Sequence, residues 1–205
     1  MAEKIYIRSA NVDCLVIGGS AGAFEPIYDF VSQLPGTFPI PVVIVLHRGK
    51  GFKSNLTHLL QSKAKLRIKE ADEKEALVPG TVFLAPVDFH LLIEPDRSLS
   101  LDGSEAVLYS RPSIDVTFDS AADVYGKTLV SMIFSGANSD GTMGCERIDE
   151  KGGSVLIQHP DEADVQTMPV SVAERLKKPV FFTKADFQDI IHRLTETGKP
   201  INKTV

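Results

Sequence analysis

The chain has 205 residues, 43% of them apolar and 24% charged, with a mean hydropathy of +0.01, so it is long enough and apolar enough to bury one α/β core. A formal net charge of -5 excludes a surface built to neutralise phosphates, so nucleic acid is not expected as a partner. The opening MAEKIYIRSANVD has no apolar signal region and no apolar run approaches bilayer length, so the expectation is a cytoplasmic protein without membrane insertion. Two cysteines, Cys14 and Cys145, give neither a disulfide framework nor a metal-ligand spacing, and no metal or other cofactor is expected.

In chain order, the first element is an apolar strand over 14–17, followed by Gly18-Gly19-Ser20-Ala21-Gly22 and a helical pattern over 23–34. A strand over 42–46 ends on His47, and a helix is predicted over 53–60. The mixed-charge run KEADEKEA, 69–76, reads as a solvated loop face. After a strand over 81–85, two short strand-like runs within 87–101 flank Glu94-Pro-Asp-Arg97, a turn tetrad that predicts a β-hairpin. A helix over 113–124, a strand over 128–134, a helix over 143–151, a strand over 154–157 and helices over 170–176 and 186–197 complete the chain.

Strands that are apolar throughout fit a sheet buried on both faces, and their alternation with helices means βαβ units. The prediction is therefore an α/β, doubly wound, mostly parallel sheet with helices on both faces and a small β-hairpin. It forms a single domain over 1–205, with its core at about 13–178 and a C-terminal helix and tail over 185–205.

Gly18-Gly19-Ser20-Ala21-Gly22 matches G-x-S-x-G between a buried strand and a helix. There the motif allows a strained turn that raises the serine hydroxyl above the sheet edge, next to a helix N-terminus able to stabilise an oxyanion. The pentapeptide alone leaves three readings open: a nucleophile turn, an anion-binding turn and a plain connection. The dinucleotide and P-loop glycine patterns are both absent.

A serine nucleophile needs a base, and the chain has five histidines: His47, His58, His90, His159 and His192. In a parallel sheet, function gathers beyond the carboxyl ends of the strands, which favours His47. His58 and His192 lie in helical patterns, His159 precedes a proline, and His90 leads into the hairpin, where a structural hydrogen bond explains it as well. The strand TLVSMIF runs into SGANSDGTMG, a polar loop carrying Asp140 just before a helix. Asp140 or Ser139 could simply be the N-cap of that helix. Ser20, His47 and Asp140 at three strand ends nevertheless favour a triad in which Asp140 orients His47, His47 takes the hydroxyl proton and Ser20 attacks an acyl carbon. Their order along the chain differs from the Ser, Asp or Glu, His order of α/β-hydrolases.

GGSAGA, the His47-Arg48 pair, PGTVFLAPVDFHLLI, RPSIDVTFDSAA and SGANSDGTMG, in that order, resemble the catalytic domain of the CheB family of chemotaxis protein-glutamate methylesterases. The resemblance implies hydrolysis of glutamyl methyl esters on methylated chemoreceptors, with deamidation of certain receptor glutamines as a related activity, and a functional pairing with a CheR-type methyltransferase. It puts Ser20, His47 and Asp140 on the family's nucleophile, base and acid. It also puts the backbone N–H groups of Ala21 and Ala137 on the oxyanion donors, where family members often carry threonine and methionine. Arg111 matches a family arginine that could bind substrate, an ion pair or helix-entry contact being the plainer reading. Arg48, with Lys50 and Lys53, could form a basic patch beside the site. The chain resembles the stand-alone members that lack a receiver domain. The alternatives carried forward are a catalytically weak CheB-like module that binds receptors or a partner methyltransferase, and a nucleotide or phosphate binder using the Gly18 to Gly22 turn.

Overall fold

A computed structural model describes residues 5–47 and 56–197. Seven strands form one sheet in which every pairing is parallel. They are β1 (Cys14–Gly19), β2 (Val42–Leu46), β3 (Arg67–Glu70), β4 (Thr81–Leu84), β7 (Leu129–Ile133), β8 (Ser154–Gln158) and β9 (Val180–Phe182), in the spatial order β3-β4-β2-β1-β7-β8-β9. The hairpin forms a separate antiparallel pair, β5 (His90–Ile93) and β6 (Leu99–Asp102).

Alternation along the central strands divides the core into two layers. Leu15, Ile17, Val42 and Ile44 face helices α1 (Phe24–Gln33), α2 (Leu56–Gln61) and α6 (Phe187–Thr197). Cys14, Val16, Val43 and Val45 face α3 (Ile114–Tyr125), α4 (Thr142–Glu150), α5 (Thr167–Arg175) and the hairpin. Both faces are covered, so residues of β1, β2 and β7 are buried without exception. The doubly wound α/β architecture, with its small hairpin, is as the pattern predicts.

Two edge strands depart from the sequence reading. The start of the charged run at 69–76 belongs to β3, an edge strand in which Ile68 turns inward while its neighbours are half-buried or exposed. Charged residues suit an edge because they oppose pairing with another chain. β9 is three residues long at the opposite edge and too short to register as a pattern. The predicted start of α2 at residue 53 lies outside the described residues.

The topology fixes where chemistry can occur. From central β1 the chain moves first toward β2, β4 and β3, and later returns on the other side through β7, β8 and β9. The carboxyl ends of β1, β2 and β7 are therefore neighbours at the switch point of the sheet, the place where open α/β sheets bind their ligands.

Candidate functional site

Ser20, His47 and the 135–141 loop leave the sheet side by side. Gly19 is in register with Leu46 and Gly18 with Ile133. Short main-chain bonds continue the ladder past the strand ends: His47 N–H donates to the Gly19 carbonyl at 3.1 Å and Ser20 N–H to the Ser135 carbonyl at 2.9 Å.

The turn at Ser20 is tight because two glycines let backbones approach. A Cβ on Gly19 would lie 2.5 Å from the Ala23 Cβ, and one on Gly22 would lie 2.6 Å from the Asp164 Cβ. The left-handed residue is Gly22, at φ 78°, whereas Ser20 itself is not in a positive-φ conformation. The strain expected of a nucleophile elbow thus falls two residues after the serine. Helix α1 begins immediately beyond, and no side chain caps its N-terminus, which leaves its positive end at the Ser20 turn.

Asp140 is fully buried. It does not cap its own helix, whose N-cap is Gly141 without a side-chain bond. Its carboxylate instead sits on the N-terminus of the neighbouring helix α3. Oδ1 accepts from Ser113 Oγ at 2.8 Å and Asp115 N–H at 3.0 Å, and Oδ2 accepts from Ile114 N–H at 2.8 Å. His47 Nε2 lies 2.8 Å from Oδ2. Burial alone would raise the Asp140 pKa, but the bond to His47 and the amides of Asp115 and Ile114 outweigh it and hold the carboxyl below its usual range. The group is an anion at neutral pH, so Nε2 of His47 carries the proton that it donates.

That assignment leaves Nδ1 as the basic nitrogen of His47. Nδ1 is 3.4 Å from the Ser110 hydroxyl, which also takes Asn138 Nδ2 at 3.4 Å. Ser20 Oγ makes no hydrogen bond among the described residues, so His47 and Asp140 are in contact while Ser20 stands at the adjacent strand end with its hydroxyl uncommitted.

An outer layer supports the acid. His90 is buried, its Nε2 3.0 Å from the Glu105 carbonyl and its Nδ1 accepting from Ser113 N–H at 3.1 Å. A linear series of contacts thus runs from Glu105 through His90, Ser113 and Asp140 to His47. Ser113 and Ser110 escaped the sequence reading: Ser113 in RPSID caps α3, and only the tertiary fold brings Asp140 to it. Asp115 follows in the same motif. Burial pushes its carboxyl up to about 6, helped by the neighbouring Asp140 charge and opposed by the Gly144 and Gly141 amides.

Ala21 and Ala137 are both exposed, and neither backbone N–H donates to an acceptor among the described residues. Their loops are pinned together: Ser135 Oγ donates to the Ala21 carbonyl at 2.7 Å, and Gly136 N–H to the Val165 carbonyl at 3.0 Å. Two amides without an acceptor among the described residues, on loops tied together next to Ser20, can receive a developing negative charge.

Arg111 directs its Nη1 to the carbonyls of Gly103 at 2.8 Å and Ser104 at 2.6 Å, tying down the loop after β6. Arg48, Lys50 and Lys53 lie outside the described residues. His58 and His192 are exposed on helices, and His159 Nδ1 accepts from Asp161 N–H in a surface turn at 3.3 Å. Among the described residues no helix is long and apolar enough to cross a membrane, and no three His, Cys, Asp or Glu side chains gather as a metal site.

Residues 15–187 match the family model described as CheB methylesterase. A Leptospira interrogans protein provisionally named a protein-glutamate methylesterase/protein-glutamine glutaminase is 42% identical over 188 residues, covering 92% of this chain and 97% of that protein. The protein-glutamate methylesterase/protein-glutamine glutaminase of Thermotoga maritima is 36% identical over 163 residues, 78% of this chain and 47% of that protein, so the chain matches about half of that relative's length. The crystal structure of the Thermotoga maritima CheB methylesterase catalytic domain superposes with a TM-score of 0.82 at 32% identity, covering 91% of this chain and 98% of that one.

Proposed function

Because the chain belongs to the CheB methylesterase family, we propose that it is a serine esterase that hydrolyses glutamyl methyl esters on methylated chemoreceptors and deamidates receptor glutamines by the same route. The observation that carries this reading is the 2.8 Å contact between His47 Nε2 and the buried Asp140 carboxylate, at the strand end next to that of Ser20, whose hydroxyl makes no hydrogen bond among the described residues. Ser20 is the nucleophile, His47 the base and Asp140 the orienting acid, within one catalytic domain over 1–205 whose core spans about 13–178 and whose C-terminal helix and tail run over 185–205.

Ser20 Oγ attacks the ester carbonyl carbon as its proton passes to His47 Nδ1, and Asp140 stabilises the imidazolium through Nε2–H. The carbonyl oxygen becomes an oxyanion that the Ala21 and Ala137 amides receive. Both donors are main chain, so alanine side chains do not remove them. Collapse breaks the bond to methoxide, which leaves as methanol with the proton from His47. Water, deprotonated by His47, then attacks the acyl-enzyme, releasing the glutamyl carboxylate and restoring Ser20. With a glutamine substrate the leaving group is ammonia. No cofactor takes part.

The setting is a cytoplasmic cycle in which a CheR-type methyltransferase supplies the ester that this chain removes. Arg111, which ties down the Gly103–Ser104 loop, and Arg48, the residue after His47 in the sequence, are the candidate substrate contacts. Methanol release from methylated receptor tests the reading. The native chain turns over, and Ser20→Ala loses activity by on the order of 10⁴ or more. Undiminished release by Ser20→Ala would remove the triad, and receptor binding without release would leave a binding module.

A further inference from the structure

One short turn beside the site is built against local preference. Val107 and Ser110 pair main chain to main chain, with N–H to O distances of 3.1 and 2.8 Å, which closes a two-residue turn on Leu108 and Tyr109. Both turn residues are left-handed, at φ 46° and 64°. Such turns favour Asn-Gly or Asp-Gly, and a branched aliphatic side chain followed by an aromatic one is disfavoured at both positions. The reward is not burial: Leu108 is 46% exposed and Tyr109 is 103% exposed, so the tyrosine ring touches almost nothing in this chain.

The surroundings hold the turn rigidly. Arg111 binds the Gly103 and Ser104 carbonyls, His90 the Glu105 carbonyl, and Ser110, the residue after Tyr109, reaches His47 Nδ1 and Asn138. Phe89, 42% exposed, and Val87, 37% exposed, lie in the loop before the hairpin, and the Phe89 ring is within 3.8 Å of where a Gly103 side chain would begin. Strain maintained by an over-determined loop, presenting large apolar groups to water next to a reactive histidine, is characteristic of a preorganised contact.

We propose that Leu108 and Tyr109 form a substrate-docking finger that grips an apolar side chain of the protein substrate beside the esterified glutamate, and so set specificity for protein over small esters. The inference rests on the esterase reading. Its occupant follows from continuity with the candidate site: Ser110, which closes the turn, lies 3.4 Å from His47 Nδ1, so the protein segment that brings an acyl group to Ser20 is the one placed to meet the exposed Tyr109 ring. A solvent-facing ring with few rotamers supplies contact area at low entropic cost, which is why aromatic anchors dominate such contacts.

The test compares the native chain, Tyr109→Ala, and the double variant Leu108→Asn/Tyr109→Gly on two substrates, methylated receptor and p-nitrophenyl acetate. We expect KM for receptor to rise about tenfold or more in both variants with kcat within twofold, while p-nitrophenyl acetate hydrolysis stays unchanged. Because Asn-Gly suits the turn, the double variant should also gain about 2–4 °C in Tm. A stabilised protein with weakened receptor recognition is a combination that a merely structural turn would not produce. Receptor KM within twofold of native overturns the inference, as does an equal loss on both substrates. A change of oligomeric state in the variants with receptor KM unchanged assigns the finger to self-association and also overturns it. A native chain inert on both substrates overturns the esterase reading, and the inference with it, without any mutation being involved.

Discussion

The Ser113 hydroxyl donates to Asp140 Oδ1 at 2.8 Å and accepts from Val116 N–H at 3.5 Å. One buried side chain thus serves as N-cap of α3 and as a support of the acid beside His47. Its loss removes a donor that favours the charged carboxylate. Ser113→Ala should lower kcat about tenfold, the effect of losing one hydrogen bond to a charged group. It should also move the acid limb of the kcat profile to higher pH, because a carboxylate that has lost one donor holds the His47 proton more strongly. Ser113→Thr keeps both bonds and restores both properties. A pH–rate series reads the limb, and a limb that does not move would confine Ser113 to helix capping.

Asp140→Asn tests the tautomer argument. An amide in place of the carboxylate turns a donor toward His47 and no longer holds the proton on Nε2, so Nδ1 ceases to be the basic nitrogen. The expected fall in kcat is on the order of 10⁴, with circular dichroism unchanged, and steady-state kinetics on methylated receptor measures it.

Asp115 and Asp140 give opposite dependences of stability on pH. Asp140, held below its usual range, contributes stability that is present above the unfolded carboxylate pKa and lost as pH falls through its depressed folded value. Asp115, pushed from 3.8 up to about 6 by burial, contributes stability that is full below 3.8 and lost as pH rises through about 6. Asp115→Asn, which cannot ionise yet still accepts from the Gly144 amide, should therefore show a smaller decline in Tm between pH 4.5 and 7.5 than the native chain. Calorimetry across that range checks the sign.

Gly22 stands at φ 78° with no room for a side chain, since a Cβ would lie 2.6 Å from Asp164 Cβ and 2.7 Å from Ser135 Oγ. Gly22→Ala should cost about 1–3 kcal/mol, seen as a lower urea midpoint. It should also reduce esterase activity disproportionately, because Ser135 Oγ binds the Ala21 carbonyl next to it.

The sequence made the central sheet legible because β1, β2, β4, β7 and β8 are buried on both faces and so are mostly apolar, with few polar exceptions such as Ser131. The edges were not: β3 is charged because an edge must resist pairing, and three-residue β9 carries too little pattern. At the site, Ser20, His47 and Asp140 were readable as polar residues at strand ends, the position that a parallel sheet reserves for function. Ser113 carries no such signal, because its bond to Asp140 spans 27 positions and arises only in the tertiary fold. The strain expected at Ser20 sits at Gly22, since glycine takes a left-handed conformation at the least cost. Leu108 and Tyr109 defy turn preference, so nothing local identifies them as a turn.

The most direct test of the central claim is covalent. A fluorophosphonate probe phosphonylates a serine hydroxyl, with loss of fluoride, only when a neighbouring base activates it, and peptide mass spectrometry locates the adduct. The account predicts stoichiometric labelling on Ser20 in the native chain and loss of that labelling in His47→Ala. A folded, native chain that stays unlabelled at Ser20, or one labelled equally without His47, would contradict it.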